Sequence, residues 1–139
     1  MTRTERGGAP GVEVVIIAPV ILVFVALVVI AAQVAITRDA VTNAAGAAAR
    51  AATQERTAQS AQETARAVAI ATTDGSPLRC LDPVVSTDTS GFGVPVGQPA
   101  QVTVQLSCTA ERNYLGILNG GRRAYQATSS APLDSYRER

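Results

Sequence analysis

Glu13 is the residue of this chain with the clearest chemical consequence. It stands at the entrance to an apolar run, residues 14–37, that carries no charge. A stretch of that length crosses a bilayer as a helix. A carboxylate at its edge is costly in lipid and calls for a partner. Gly7 and Gly8 lie just upstream, behind a short basic leader. A cut after Gly8 would make Ala9 residue one and Glu13 residue five, and would create a new α-ammonium on Ala9. Glu13 could then meet the Ala9 amine of a neighbouring subunit and set an axial stagger, or face the amine of its own chain about one helical turn away. Gly7 and Gly11 are rival cut positions, which would place Glu13 sixth or second. The plainer alternative is an interfacial charge flanking a signal anchor.

The second pair with a chemistry of its own is Cys80 and Cys108, both downstream of the apolar run. They lack the C-x-x-C spacing of redox motifs and are too few for a structural zinc site. In an oxidising compartment they are expected to pair as a structural disulfide joining two strands. Histidine is absent, which removes His-based triads and His metal ligands. Asp82 and Asp88 lack calcium-loop spacing and read as solvated loop carboxylates. No G-x-S-x-G elbow is present. No catalytic residue, metal site or cofactor is expected.

The elements that position these residues follow from pattern. Among 139 residues there is room for one membrane helix and one small domain. Residues 1–8 form a leader, and 9–37 a transmembrane helix with Pro19 early in it, tolerated in a membrane helix although it frees a carbonyl. Residues 38–73 read as an Ala-rich extension of that helix, with no proline between Pro19 and Pro77. Val41, Ala44, Ala45, Ala48 and Ala52 define a small-residue face, and Ala44, Ala48 and Ala52 would let another helix approach closely. Asp74-Gly75-Ser76-Pro77 ends the helix.

Residues 74–139 form a small β-rich domain. Strands are predicted over 78–85, carrying Cys80, over 101–108, and over 123–130, where Pro132 ends the third. In the second, Val102, Val104, Leu106 and Cys108 alternate onto one buried face. Residues 86–99 read as a turn-rich loop, 114–118 as a short helical turn or buried loop, and Asn119-Gly120-Gly121 as a turn. The fold class is therefore α+β: a long N-terminal membrane-spanning helix, then a small antiparallel sheet of about three strands. Net charge is only +1 and no basic stripe occurs, which argues against nucleic acid as a partner.

The stretch RGGAPGVEVVIIAPVILVFVALVVIAAQVAITRDAVTNAAGAAARAA, residues 6–52, resembles the TadE-like pseudopilins of the tight-adherence (Flp) pilus machinery. The likeness lies in the basic Gly-containing leader, the Val12-Glu13 pair, Pro19 within the apolar run, and the Ala-rich helix after it. The closing APLDSYR, residues 131–137, resembles the end of actinobacterial members. The likeness is strong over the N-terminal third and loose beyond it. It implies a pilin-like fold and cleavage between Gly8 and Ala9 by an aspartyl prepilin peptidase. It further implies an assembly role for Glu13, and as partners the membrane, other pilin-like subunits and the pilus assembly platform. The expected function is a minor, non-enzymatic pilus-assembly or secretion component.

Arg3 and Arg6 outweigh Glu5 before the apolar run, whereas Arg38 is followed at once by Asp39. This bias puts the N-terminus in the cytoplasm and the C-terminal domain outside a single-pass inner membrane. Two alternatives stay open: a signal-anchored extracellular domain with an unknown binding role, and a secreted protein whose signal peptide is removed near Ala31. The apolar run is longer than a usual signal h-region, which weighs against the last.

Overall fold

The computed structural model describes residues 9–75, 80–114 and 118–136, with side chains over 15–75, 80–110 and 121–136. The chain divides into two compact units, Met1–Ala35 and Ile36–Arg139. The elements run α1 (Ala9–Ala52), α2 (Ala58–Asp74), β1 (Cys80–Asp88), a short 3-10 turn (Ser90–Gly93), β2 (Ala100–Tyr114) and β3 (Leu118–Leu133). The class is α+β with an apolar N-terminal helix and a three-stranded antiparallel sheet of order β1-β2-β3.

In the first unit the structure is a helix that passes through Pro19 without ending. A proline there removes one N–H and leaves the Val15 carbonyl without its helical donor. The side chains of Val15, Ile16, Val20, Leu22, Val23 and Phe24 are all more than half exposed, with Val15 at 73%. None of the most apolar stretch of this helix is buried inside the protein.

The second unit contains the core. From α1 it takes Val41, Ala44, Ala45, Ala48, Ala49 and Ala52, from α2 Ala61, Ala65 and Ala69, and from β2 Val102, Val104, Leu106 and Cys108. Ala131 and Leu133 of β3 complete it. The spacing explains the pattern. Every second residue of β2 faces inward, and on α2 every fourth residue does. The α2 face of Ala61, Ala65, Ala69 and Thr73 is lined by small side chains. Leu106 is the largest fully buried side chain, so this core is close-packed from small groups.

The helical stretch expected over 38–73 is not continuous. Helix α1 ends at Ala52 and α2 begins at Ala58, although none of the five residues between them is Gly or Pro. The amides of Gln54 and Glu55 donate to the carbonyls of Ala51 and Ala52 at 3.1 and 3.3 Å, three residues back, which tightens the last turn. The Thr53 hydroxyl donates to the Arg50 carbonyl at 2.7 Å. Thr57 then takes an extended conformation and caps α2, its Oγ1 accepting from the Ser60 amide at 3.1 Å. Thr64 Oγ1 donates to Glu55 Oε1 at 3.0 Å and ties the connection to α2. The break lets two alanine faces enter one core. A single straight helix would leave the second face in water. At the far end α2 stops at Asp74 with Gly75 as its cap, as the sequence implies.

The strands are longer than their apolar patterns. Strand β1 runs from Cys80 to Asp88 rather than over 78–85, and residues 78 and 79 lie outside the described residues. Between Leu81 and Val84 it carries one residue more than β2 opposite. Asp82 adopts φ +52° there, and Pro83, which has no amide to donate, fits where the ladder is interrupted. Strand β3 spans Leu118–Leu133, with Pro132 paired to Gln101 inside it. Proline is compatible with that place because β3 is an edge strand. Asn119-Gly120-Gly121 is not the turn. Tyr114 already pairs with Leu118, so the ladder continues past these glycines; residues 115–117 lie outside the described residues. The glycines instead meet a register shift opposite residues 111–113, with Gly121 at φ +68°. A glycine relaxes a β-bulge as readily as a turn, and here it serves the bulge.

Candidate functional site

The N-terminal segment carries the candidate processing and assembly residues. Gly8 lies outside the described residues. Ala9 is the first residue of α1, and Glu13 occupies a backbone position early in the same helix; the Glu13 and Ala9 side chains fall outside the described ones. Behind them, α1 contains the one candidate membrane span among the described residues. The exposed stretch 15–36 covers about 33 Å at helical rise, which matches the roughly 30 Å hydrocarbon thickness of a bilayer. Apolar side chains over such a length, exposed on successive turns, suit lipid and not water. The first charged residues after it are Arg38 and Asp39, both exposed. The segment changes character within a turn: Thr37 is 9% exposed and Val41 is 1% exposed.

Ala44, Ala48 and Ala52 are each fully buried. Their small side chains do permit close approach, but the groups that approach belong to the same chain's core, which includes the alanines of α2. This face is therefore occupied within the unit and is not an open surface for a separate subunit. Gly46 on the same helix is close to β3: a Cβ built there would lie 3.6 Å from Ser129 Oγ.

Cys80 and Cys108 lie at disulfide distance, with Cα atoms 5.5 Å apart and a sequence separation of 28. The register explains the pairing. Cys80 stands opposite Ala110, and the β1 bulge falls between the Leu81–Thr109 and Val84–Ser107 pairs, which brackets Cys108 on β2. Cys108 is fully buried and Cys80 is half-buried against the core. The bond closes the first strand of the sheet onto the central one, next to the place where their ladder is interrupted.

The loop between β1 and β2 holds features that composition alone did not single out. Gly91 is buried against β2, and any Cβ there would collide with the Gln101 carbonyl oxygen. Asp88 Oδ1 accepts the Ser90 amide at 2.9 Å, and the Ser90 backbone and side-chain hydrogen bonds hold its carboxyl below the usual value. The loop borders an open groove of about 510 Å³ lined by Arg56, Thr57, Ala58, Thr89, Ser90, Phe92 and Gly93. Gln62 Nε2 donates to Thr89 Oγ1 at 3.1 Å beside it. A glycine-and-proline-rich loop signals irregular backbone, but nothing in its sequence distinguishes Gly91 from Gly93 or Gly97. Among the described residues, no group of three or more Cys, Asp or Glu is placed to hold a metal ion.

The features with chemical or physical consequence are thus an apolar helix of bilayer length, a stapled sheet, and a helix–sheet core assembled from alanines. Comparison with protein-family models, with curated proteins and with solved structures finds no match to this chain.

Proposed function

We propose that this chain is a pilin-like, non-enzymatic membrane component of a tight-adherence (Flp) type pilus-assembly or secretion machinery. In this reading the leader is removed by a prepilin peptidase after Gly8. The helix anchors the subunit in the cytoplasmic membrane, and the α+β unit stands outside it. Glu13 pairs with a free Ala9 amine during assembly with other pilin-like subunits. The observation that carries the reading is the unburied, uncharged helical stretch over 15–36, which starts two residues after Glu13. A helix of that kind needs lipid or other apolar helices around it, and a carboxylate at its edge needs a cation.

Mass spectrometry of the mature N-terminus tests it. Expressed with a prepilin peptidase, the chain is expected to begin at Ala9. A mature protein that still begins at Met1 or Thr2 points to a plain signal anchor, and one that begins near Ala32 to a secreted domain. Either result removes the pilin-like reading.

A further inference from the structure

The two edges of the sheet are built differently. Strand β1 forms one edge and β3 the other. On β1, the bulge between Leu81 and Val84, Asp82 at φ +52° and Pro83 break the row of outward backbone groups. Carboxylates are exposed there at Asp82 and Asp88. Bulges, prolines and charges are the devices that keep a sheet edge from pairing with another chain. Strand β3 lacks them over its length from Ala124 to Ala131 (AYQATSSA), which holds no charge, no Pro and no Gly. Its ladder with β2 runs from Arg122 to Leu133 without a register shift.

The outward backbone groups of β3 follow from Pro132. It stands opposite Gln101 in the ladder and has no amide to give, so the nitrogen side of its backbone faces away from β2. Ladder bonds alternate along an antiparallel strand, which turns the amides and carbonyls of Gln126, Thr128 and Ser130 to the same outer side. The side chains of these three residues are exposed as well. Among the described residues, β2 is the one strand paired with β3. A straight, uncharged row of donors and acceptors is the complement of another extended strand.

Charge selects the partner and its direction. Arg122 and Arg123 are exposed near the start of this edge, and Asp134 is exposed just past its close. Two copies of β3 laid side by side in parallel would set arginine against arginine and Asp134 against Asp134. Laid antiparallel, with Thr128 opposite Thr128, they set Arg122 of each copy opposite Asp134 of the other. Gln126 then faces Ser130, and Tyr125 faces Ala131. Cross-strand hydroxyl pairs and opposite charges are favourable at such positions. Exposed ion pairs add little affinity, so here they serve to choose the register.

We propose that β3 pairs antiparallel with β3 of a second copy of this chain, about a twofold axis through Thr128. The result is one continuous sheet of order β1-β2-β3-β3-β2-β1. Both of its outer edges are then the guarded β1, so the pairing closes as a dimer and does not grow into a fibre. The contact lies wholly within the unit Ile36–Arg139 and does not depend on the membrane-spanning reading of α1.

The test uses the full chain in detergent micelles, where the native protein is expected to sediment as a dimer. Thr128→Cys, oxidised and mapped without reduction, is expected to give a 128–128 bond between copies with Cys80–Cys108 intact. Ser86→Cys, exposed on β1, is expected to stay uncross-linked. Gln126→Pro removes one outward amide from each copy, which an edge strand tolerates, and is expected to raise the dimer dissociation constant about tenfold with thermal unfolding still cooperative. Arg122→Asp and Asp134→Arg are each expected to weaken the dimer, and the two together to restore it. A native chain that sediments as a monomer, or a Thr128→Cys chain without the 128–128 bond, overturns the proposal. A dimer that Gln126→Pro leaves unchanged is held by another surface and overturns it too. A 128–86 bond in the chain carrying both cysteines shows open β3-to-β1 pairing and refutes the closed dimer. Failure of the combined charge swap to recover the dimer removes the register and the proposal with it.

Discussion

A glycine beside a backbone and a carboxylate beside an amide each dominate their surroundings here. Glu13 precedes an uncharged helical run, so Glu13→Ala removes a charge from the edge of lipid and is expected to insert as well as the native chain. The Ala9 amine then loses its counter-charge. The variant is expected to be processed normally and to fail in pilus assembly, scored by N-terminal mass and by filament yield. Full assembly would refute the pairing role. Gly91→Ala drives a methyl into the Gln101 carbonyl and is expected to destabilise the domain by about 1 to 3 kcal/mol. Gly93→Ala, with nothing within 4 Å of its added Cβ, is the matched control and should leave thermal unfolding nearly unchanged. Asp88 has a lowered folded-state value, so the stabilisation it contributes is present above the unfolded carboxylate value and lost as pH falls through the folded one. Carboxyl titration by NMR checks the direction, and Ser90→Ala, which deletes the hydroxyl but keeps the amide, should move the value only part of the way back.

At the scale of elements, the domain is short of large apolar side chains and depends on geometry. Two alanine-faced helices meet a β2 face whose largest buried member is Leu106. Alanine offers little transfer free energy per residue, so close approach and cross-linking carry more of the stability than they do in a Leu-rich core. The Cys80–Cys108 bridge encloses a loop with a separation of 28. On the chain-entropy model a loop of this size is worth about 3 to 4 kcal/mol, a large share of what a small domain holds. Replacing both cysteines with serine is expected to lower the midpoint of denaturant unfolding and to open β1 to proteolysis. An unchanged midpoint, or two free thiols found in protein recovered under non-reducing conditions, would show that the staple carries no load.

For the whole molecule, the proposed membrane span carries an expectation about orientation. Arg3 and Arg6 precede it, while Arg38 is neutralised by its neighbour Asp39, so the N-terminus is expected to stay in the cytoplasm. A reporter that is active only outside the cytoplasmic membrane, fused after Arg139, should be active. Activity of a cytoplasm-only reporter at the same position would invert the topology. In the proposed orientation Cys80 and Cys108 would lie in an oxidising compartment, where the bridge can form and persist.

Local chemistry was legible wherever one residue type dominates its surroundings. An uncharged apolar run reads as a membrane-length helix because length and charge alone decide it. The alternation of Val102, Val104, Leu106 and Cys108 reads as a buried strand face because the period of two is set by the pleat. The breakers Asp74 and Gly75 mark the end of α2, where Gly75 keeps a right-handed conformation and its amide donates to the Ala71 carbonyl. What only the tertiary structure decided are the places where distant segments meet. The break at residues 53–57 contains no Gly or Pro; it exists because folding α2 back buries a second alanine face. The Asn119-Gly120-Gly121 signal marks a bulge and not a turn, because the ladder continues past it to Tyr114 and Leu118. Gly91 is set apart from its neighbouring glycines only by the Gln101 carbonyl packed against it, and that contact between residues ten apart has no counterpart in local sequence.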